Sequence, residues 1–137
     1  MPIDKRRAEQ YRSKIRYILE HAYVIPKDVG TMDERSIEEV LYRVQTSIDA
    51  AADMAAMLVQ DRGVCVGDRY ENIDLLMAKH EINRRFAQKL RVLNVMRNAT
   101  VREYGVLDSV LVLGNIEEIK KILFAFIKQI EAKLDAP

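Results

Sequence analysis

The sequence predicts an all-α protein, an antiparallel up-and-down bundle of four or five helices, on three observations. Apolar residues recur at spacings of three and four along several long segments, the period of helices with one buried stripe. Gly and Pro are scarce, five and three among 137 residues, and Trp is absent, which argues against a turn-rich sandwich or a disordered chain. The connections between periodic segments are short, so consecutive helices should run antiparallel. A chain of this length is expected to be a single domain across 1–137, burying roughly two-thirds of the surface its unfolded form exposes. No repeat, low-complexity tract or linker divides it.

The first helix is expected from Asp4 to about Tyr23, with Ala8, Tyr11, Ile15, Ile18, Leu19 and Ala22 on its stripe; Pro26 closes it. Thr31 and Glu34 have the spacing of a capping box and should open a longer second helix, whose apolar residues run from Ile37 to Val59. Asp49-Ala50-Ala51-Ala52 gives that helix a thin waist where a neighbouring backbone can come close. Gly63 is its natural stop. After a turn at Gly67-Asp68-Arg69, a short helix carries Tyr70, Ile73, Leu76 and Met77. A break near His80-Glu81 leads to the fourth helix, with Ile82, Phe86, Leu90 and Leu93 buried and Gly105 as its expected end. Val106 to Leu113 is apolar and reads equally as a helical turn or an extended stretch. Asn115 with Glu118 should cap the last helix, striped by Ile116, Ile119, Leu123, Phe126, Ile127, Ile130 and Leu134.

Composition removes several classes of chemistry. Cys65 is the only cysteine, so neither an intramolecular disulfide nor a Cys-based zinc site within one chain can form. The segment MPIDKRRAEQYRSK is charged where a signal peptide needs an apolar core, and no apolar run reaches membrane-spanning length; a cytoplasmic protein with no membrane contact is expected. There is no Gly-rich phosphate loop, G-x-S-x-G elbow or H-E-x-x-H, and no Glu-x-x-His pair for a di-iron bundle. Neither a cofactor nor a metal site is expected.

What stands out is charge placement. The formal net charge is only +1, yet between Ile82 and Arg102 there are six basic residues, Arg84, Arg85, Lys89, Arg91, Arg97 and Arg102, and no Asp or Glu. Such a helix can attract a polyanion, and Arg grips phosphate oxygens with a planar fork of donors. For Arg84, Arg85, Lys89 and Arg91 the simpler alternative is a solvated face paired with carboxylates of neighbouring helices. Arg97 differs, because it lies on or beside the apolar stripe and needs a partner there, either a ligand phosphate or a carboxylate such as Asp49. On an unbroken helix Arg97 would share a face with Tyr104, and Asn98 would neighbour Arg102 at i and i+4. Asn98 would then orient a neighbour or cap a distorted helix end.

The run Arg97-Asn98-Ala99-Thr100-Val101-Arg102-Glu103-Tyr104 resembles the R-N-x-x-x-H-x-Y signature of the HEPN superfamily, and within it the HepT-like toxins paired with minimal nucleotidyltransferases. The second-helix segment LYRVQTSIDAAADMAAMLV and the approach RYENIDLLMAKHEINRRFAQKLRVLNVMRN are similar to that family as well. The resemblance covers most of the chain, from about Lys5 to Leu134. It implies a homodimeric, metal-independent endoribonuclease in which the motif Arg and His of two protomers meet at a shared cleft. It further implies RNA as substrate, a nucleotidyltransferase antitoxin as partner, and Tyr104 as the residue that partner modifies with AMP.

The departure is at position 102, where Arg replaces the motif His. A guanidinium with a pKa above about 12 holds phosphate but takes up no proton near neutrality. Three origins are open: a naturally inactive relative, a substitution selected because the active toxin harms its host, or proton transfer by another group. Only His21 and His80 are available for the last. A non-catalytic nucleotide- or RNA-binding partner subunit of a nucleotidyltransferase is the alternative function.

Overall fold

The computed structural model describes residues 3–26, 28–100 and 106–135. Among them are six helices and no strand: α1 (Lys5–Ala22), α2 (Glu34–Asp61), α3 (Arg69–Ala78), α4 (Arg84–Asn98), α5 (Val106–Leu113) and α6 (Ile116–Asp135). The bonds between helices fix their directions. Arg7 meets Asp61, Lys14 meets Asp53 and Arg43 meets His21, so α1 and α2 run antiparallel in register. Asp49 pairs with Arg97 and Gln45 with Thr100, so α4 runs against α2. Arg12 meets Asp135 while Lys120 reaches the Ile25 carbonyl, which sets α6 against α1. The up-and-down bundle expected from the short connections is therefore present, with α3 and α5 as shorter additions.

At 28 residues, α2 spans about 42 Å and packs against every other helix of the bundle. Its buried face, Val44, Ile48, Met54, Ala55 and Leu58, meets Tyr11, Ile15 and Ile18 of α1, Leu90 and Leu93 of α4, and Leu123, Phe126 and Ile130 of α6 in one core. The Ala-rich waist sits where expected. Ala51, Ala52 and Ala55 border Leu90, Leu93 and Asn94 of α4 and Ile73 of α3, and small side chains there let three helices converge.

The ends of the helices follow local chemistry. Asp4, Asp33, Asp68 and Asn83 each accept backbone N–H bonds at the start of α1, α2, α3 and α4. The second helix thus begins on Asp33, not on a Thr31–Glu34 box: Asp33 takes the N–H of Ser36 at 2.8 Å, and that bond holds its carboxyl below the usual carboxylate range. Gly63, at φ +77°, closes α2 as anticipated. Its N–H reaches the Gln60 carbonyl and that of Val64 reaches Val59, the paired bonds of a Schellman motif. The ambiguous segment Val106–Leu113 is helical. Asn115 donates its side-chain amide to the Leu111 carbonyl at 2.8 Å, satisfying a terminal group of α5.

The fourth helix departs most from expectation. It ends at Asn98, with Ala99 as its cap, instead of running to Gly105. Thr100 turns back onto it: both its N–H, at 3.2 Å, and its hydroxyl, at 2.7 Å, donate to the Arg97 carbonyl. A Ser or Thr hydroxyl that takes a nearby carbonyl offers the backbone an alternative to the helix ladder.

Candidate functional site

Phe86, Ala87, Leu90, Leu93 and Asn94 are the buried residues of α4, and at roughly 100° per residue Arg97 falls in the middle of that arc. A guanidinium there meets the waist of α2. Its Nε lies 3.0 Å from Asp49 Oδ1 and its Nη2 lies 3.5 Å from Asp49 Oδ2, a side-on, two-point contact. The carboxylate partner anticipated for Arg97 is therefore the one the fold supplies. The pair is not sealed, since the Arg97 side chain is 28% exposed and that of Asp49 30%.

A second guanidinium, absent from the motif, reaches the same carboxylate. Arg69, the first residue of α3, places Nη1 at 2.7 Å from Asp49 Oδ1. Nη1 is buried and lies off the direction of a hydrogen bond, so the contact is ionic without being directed. Asn94, one turn before Arg97, donates to the Leu90 carbonyl at 3.0 Å and leaves a buried Oδ1 without a hydrogen bond among the described residues. Three helices thus bring two guanidiniums, one carboxylate and one carboxamide to a single junction. Two cations against one anion leave it one positive charge in excess, suited to an anionic ligand.

The remaining basic residues of α4 point elsewhere. Arg84, Arg85 and Lys89 are exposed and lie about 80 to 140° around the helix from Arg97. Arg85 and Lys89 border a shallow surface depression with Asn83, Phe86 and Gln129. Arg91 is committed to Asp74 of α3 and stands 5.9 Å over the Tyr70 ring. The solvated-face reading fits Arg91, and none of the four converges on Arg97. Asn98 is exposed at the last position of α4. Arg102 and Tyr104 lie outside the described residues. Because α4 ends at Asn98, helical spacing gives no reason to place either beside Arg97 or Asn98.

His21 and His80 have other occupations. His80 is an exposed turn residue at φ 59°, ending α3. His21 packs against Tyr17 with ring centroids 4.4 Å apart and planes tilted by 50°, and its Nδ1 lies 3.3 Å from Arg43 Nη1. A guanidinium only donates, so Nδ1 is the acceptor in this contact. Along α2, Arg43 stands six residues from Asp49, about 9 Å of helix. His21 and Arg97 therefore do not address one phosphate. Among the described residues no group of three or more His, Cys, Asp or Glu is placed to hold a metal ion, and no helix is long and apolar enough to cross a membrane.

This helical bundle has the fold of HEPN toxins. The tri-AMPylated HEPN toxin of Shewanella oneidensis, solved in complex with its MNT antitoxin, matches it with a TM-score of 0.78 over 95% of this chain and 99% of that one, at 16% identity. A toxin–antitoxin solved with AMP-PNP matches at 0.77 over 93% of this chain and 99% of that one, at 15% identity. Identities that low speak for the fold alone. The sequence itself carries the kinship: residues 9–130 match the family Ribonuclease HepT-like, and the chain belongs to it. Two Archaeoglobus fulgidus proteins, each described as "Putative RNase", are 40% identical over 94% of this chain and 96% of the relative, and 30% identical over 89% and 94%.

Proposed function

We propose that this chain is the toxin-type, RNA-binding subunit of a HEPN/nucleotidyltransferase pair, a cytoplasmic homodimer of one HEPN-like domain whose cleft grips RNA phosphate. The observation that carries the reading is Arg97, set on the buried face of α4, held side-on by Asp49 and still partly open to solvent. An arginine fixed in this way meets a phosphate pre-oriented, with its charge and part of its donor fork available. Membership of the HepT-like family and the putative-RNase relatives point the same way. So does the fold shared with toxins solved beside an antitoxin, which supports a nucleotidyltransferase partner. Exposed apolar side chains on α4 and α5, Val92, Val95, Val110 and Leu111, support a second copy covering them.

In the active form of such a site an imidazole takes the proton of the ribose 2′-hydroxyl as its oxygen attacks phosphorus. Arg offsets charge on the phosphorane-like transition state, and the departing 5′-oxygen takes its proton from an imidazolium as its bond to phosphorus breaks. Arg102 can share the second task but not the first. Tyr104 is the candidate for AMP transfer; a bulky anion attached to it would repel RNA phosphate. The substitution at position 102 favours one further reading, a non-catalytic RNA- or nucleotide-binding subunit of the nucleotidyltransferase.

Restoring the proton carrier separates the two. Arg102→His is expected to create or strongly raise metal-independent RNA cleavage and cellular toxicity, and Arg97→Ala in that background to abolish both. Cleavage of a labelled RNA in the presence of a chelator measures this directly. If Arg102→His leaves the protein inert while it still binds the nucleotidyltransferase, the non-catalytic reading stands.

A further inference from the structure

On the other flank of Asp49, a cleft of about 400 Å³ opens between α1 and α2, bordered by Lys14, Arg16, Tyr17, Thr46, Asp49 and Asp53. At one end stands an aromatic cluster. Tyr17 packs on His21, and His21 meets the Tyr42 ring edge-on, with centroids 6.3 Å apart. The Tyr17 hydroxyl is tied to Thr46 and the His21 ring to Arg43, so the cluster is held in place from α2. Tyr42 is 59% exposed and Tyr17 36%. Aromatic faces fixed in this way and open to solvent lose little freedom when a flat ring settles on them.

Continuity with the Arg97 site comes from α2. Tyr42, Thr46, Asp49 and Asp53 follow at spacings of four, three and four, one stripe of a helix, and Tyr42 stands about 10 Å along the axis from Asp49. Most of the charges along the stripe are matched, Lys14 with Asp53 at 2.9 Å, Arg43 with Glu39 at 3.1 Å, and Asp49 with Arg69 and Arg97, and on the α1 side of the cleft Arg16 and Glu20 carry opposite charges one turn apart. A cleft so balanced has little long-range pull on a polyanion. What it offers is stacking surface, the sequence-tolerant means by which single strands are held beside a phosphate contact.

We infer that Tyr42 and Tyr17, buttressed by His21, form a base-stacking subsite for single-stranded RNA, receiving a base next to the phosphate gripped by Arg97. The inference rests on the proposed RNA-binding function and adds where the strand runs. Duplex RNA, with its bases already stacked on one another, is the poorer ligand.

The test compares a short single-stranded oligoribonucleotide with an abasic ribose-phosphate oligomer of equal length, hence equal charge. Tyr42→Ala, at an exposed position, should fold as the parent does, verified by its circular dichroism. By fluorescence anisotropy it should bind the base-bearing oligomer on the order of tenfold more weakly, with affinity for the abasic oligomer unchanged. Because the chain has no Trp, Tyr42→Trp introduces a sole indole, which should retain affinity and be quenched by the base-bearing oligomer alone. Equal affinity of Tyr42→Ala and the parent for the base-bearing oligomer overturns the subsite. If Arg97→Ala meanwhile weakens binding, the RNA-binding function survives that loss. Absence of RNA binding by the parent protein overturns both. Unchanged RNA affinity with weakened binding of a nucleotidyltransferase also overturns the subsite, and assigns the platform to a protein partner.

Discussion

At the scale of single residues, Asp49 governs how much of Arg97 a phosphate can use. The carboxylate takes the Nε edge of the guanidinium and cancels one of the two positive charges at the junction. Asp49→Asn keeps the shape and removes that charge, and the two consequences oppose each other. RNA should bind the variant more tightly at low salt, with a salt dependence steeper by roughly 0.7 in log–log slope, the increment for one more phosphate contact on a single strand. Cleavage in an Arg102→His background should nevertheless fall on the order of tenfold or more, because Arg97 loses the partner that orients it. Anisotropy titrations across salt and single-turnover cleavage read the two effects separately; weaker binding together with faster cleavage would contradict the assignment. That Arg97 needs a partner was legible from its place on the apolar stripe, and Asp49 was the natural candidate at the waist of α2. Arg69 was not legible. In sequence it reads as the last residue of the turn Gly67-Asp68-Arg69, and only the packing of α3 on α2 brings it to Asp49.

At the scale of elements, the apolar periods located the helices and side-chain chemistry set their ends. Thr31 and Asp33 both stand before α2 with capping oxygens, and only the path of the backbone selects Asp33. The period of α4 runs on toward Val101, so periodicity alone extends the helix to Gly105; a pattern of apolar positions cannot weigh the bond that Thr100 makes to the Arg97 carbonyl. At α3 the capping box is complete. Asp68 accepts from the N–H of Tyr70 and Glu71, while the Glu71 side chain accepts from the Asp68 N–H. Asp68→Ala should lower the urea midpoint through loss of the cap, and Asp68→Ser should recover most of it. Since Arg69 is the next residue, the same change should loosen its hold on Asp49. A loss of about 1 kcal/mol is expected for Gly63→Ala, because a Cβ at φ +77° is strained even with open space around it.

At the scale of the whole molecule, the up-and-down order was legible because it needs only helix count and connection length, whereas the clamp that ties three helices together near the start of α4 was not. Glu81, in the turn between α3 and α4, binds Arg62 at the end of α2 and Lys133 near the end of α6, the latter at 2.8 Å to its carboxylate and 3.1 Å to its carbonyl. Three charged residues far apart in sequence carry no periodic signal. Burial alone would raise the Glu81 pKa; hydrogen bonds from Lys133 and Arg62 outweigh it, and the carboxyl is held below its ordinary value. A group whose pKa is lower in the folded state binds its proton first in the unfolded one. The stability it contributes is therefore complete above the unfolded value, about 4.3, and is lost as pH falls from there through the folded value. Urea midpoints should accordingly hold steady from neutrality to about pH 5 and decline below it. Glu81→Gln should lower stability at neutral pH by about 1–2 kcal/mol, because it leaves Arg62 and Lys133 without their shared charge. It should also flatten, without removing, the decline below pH 5, since Asp33 and Asp68 are shifted the same way by backbone N–H bonds. Parallel curves for parent and variant would refute the clamp. Glu81 precedes α4 and Arg97 lies about 20 Å along that helix from its first residue, Arg84, so RNA affinity at neutral pH should be unchanged in Glu81→Gln, and a change there would mean that the clamp and the junction at Asp49 are coupled through the helix.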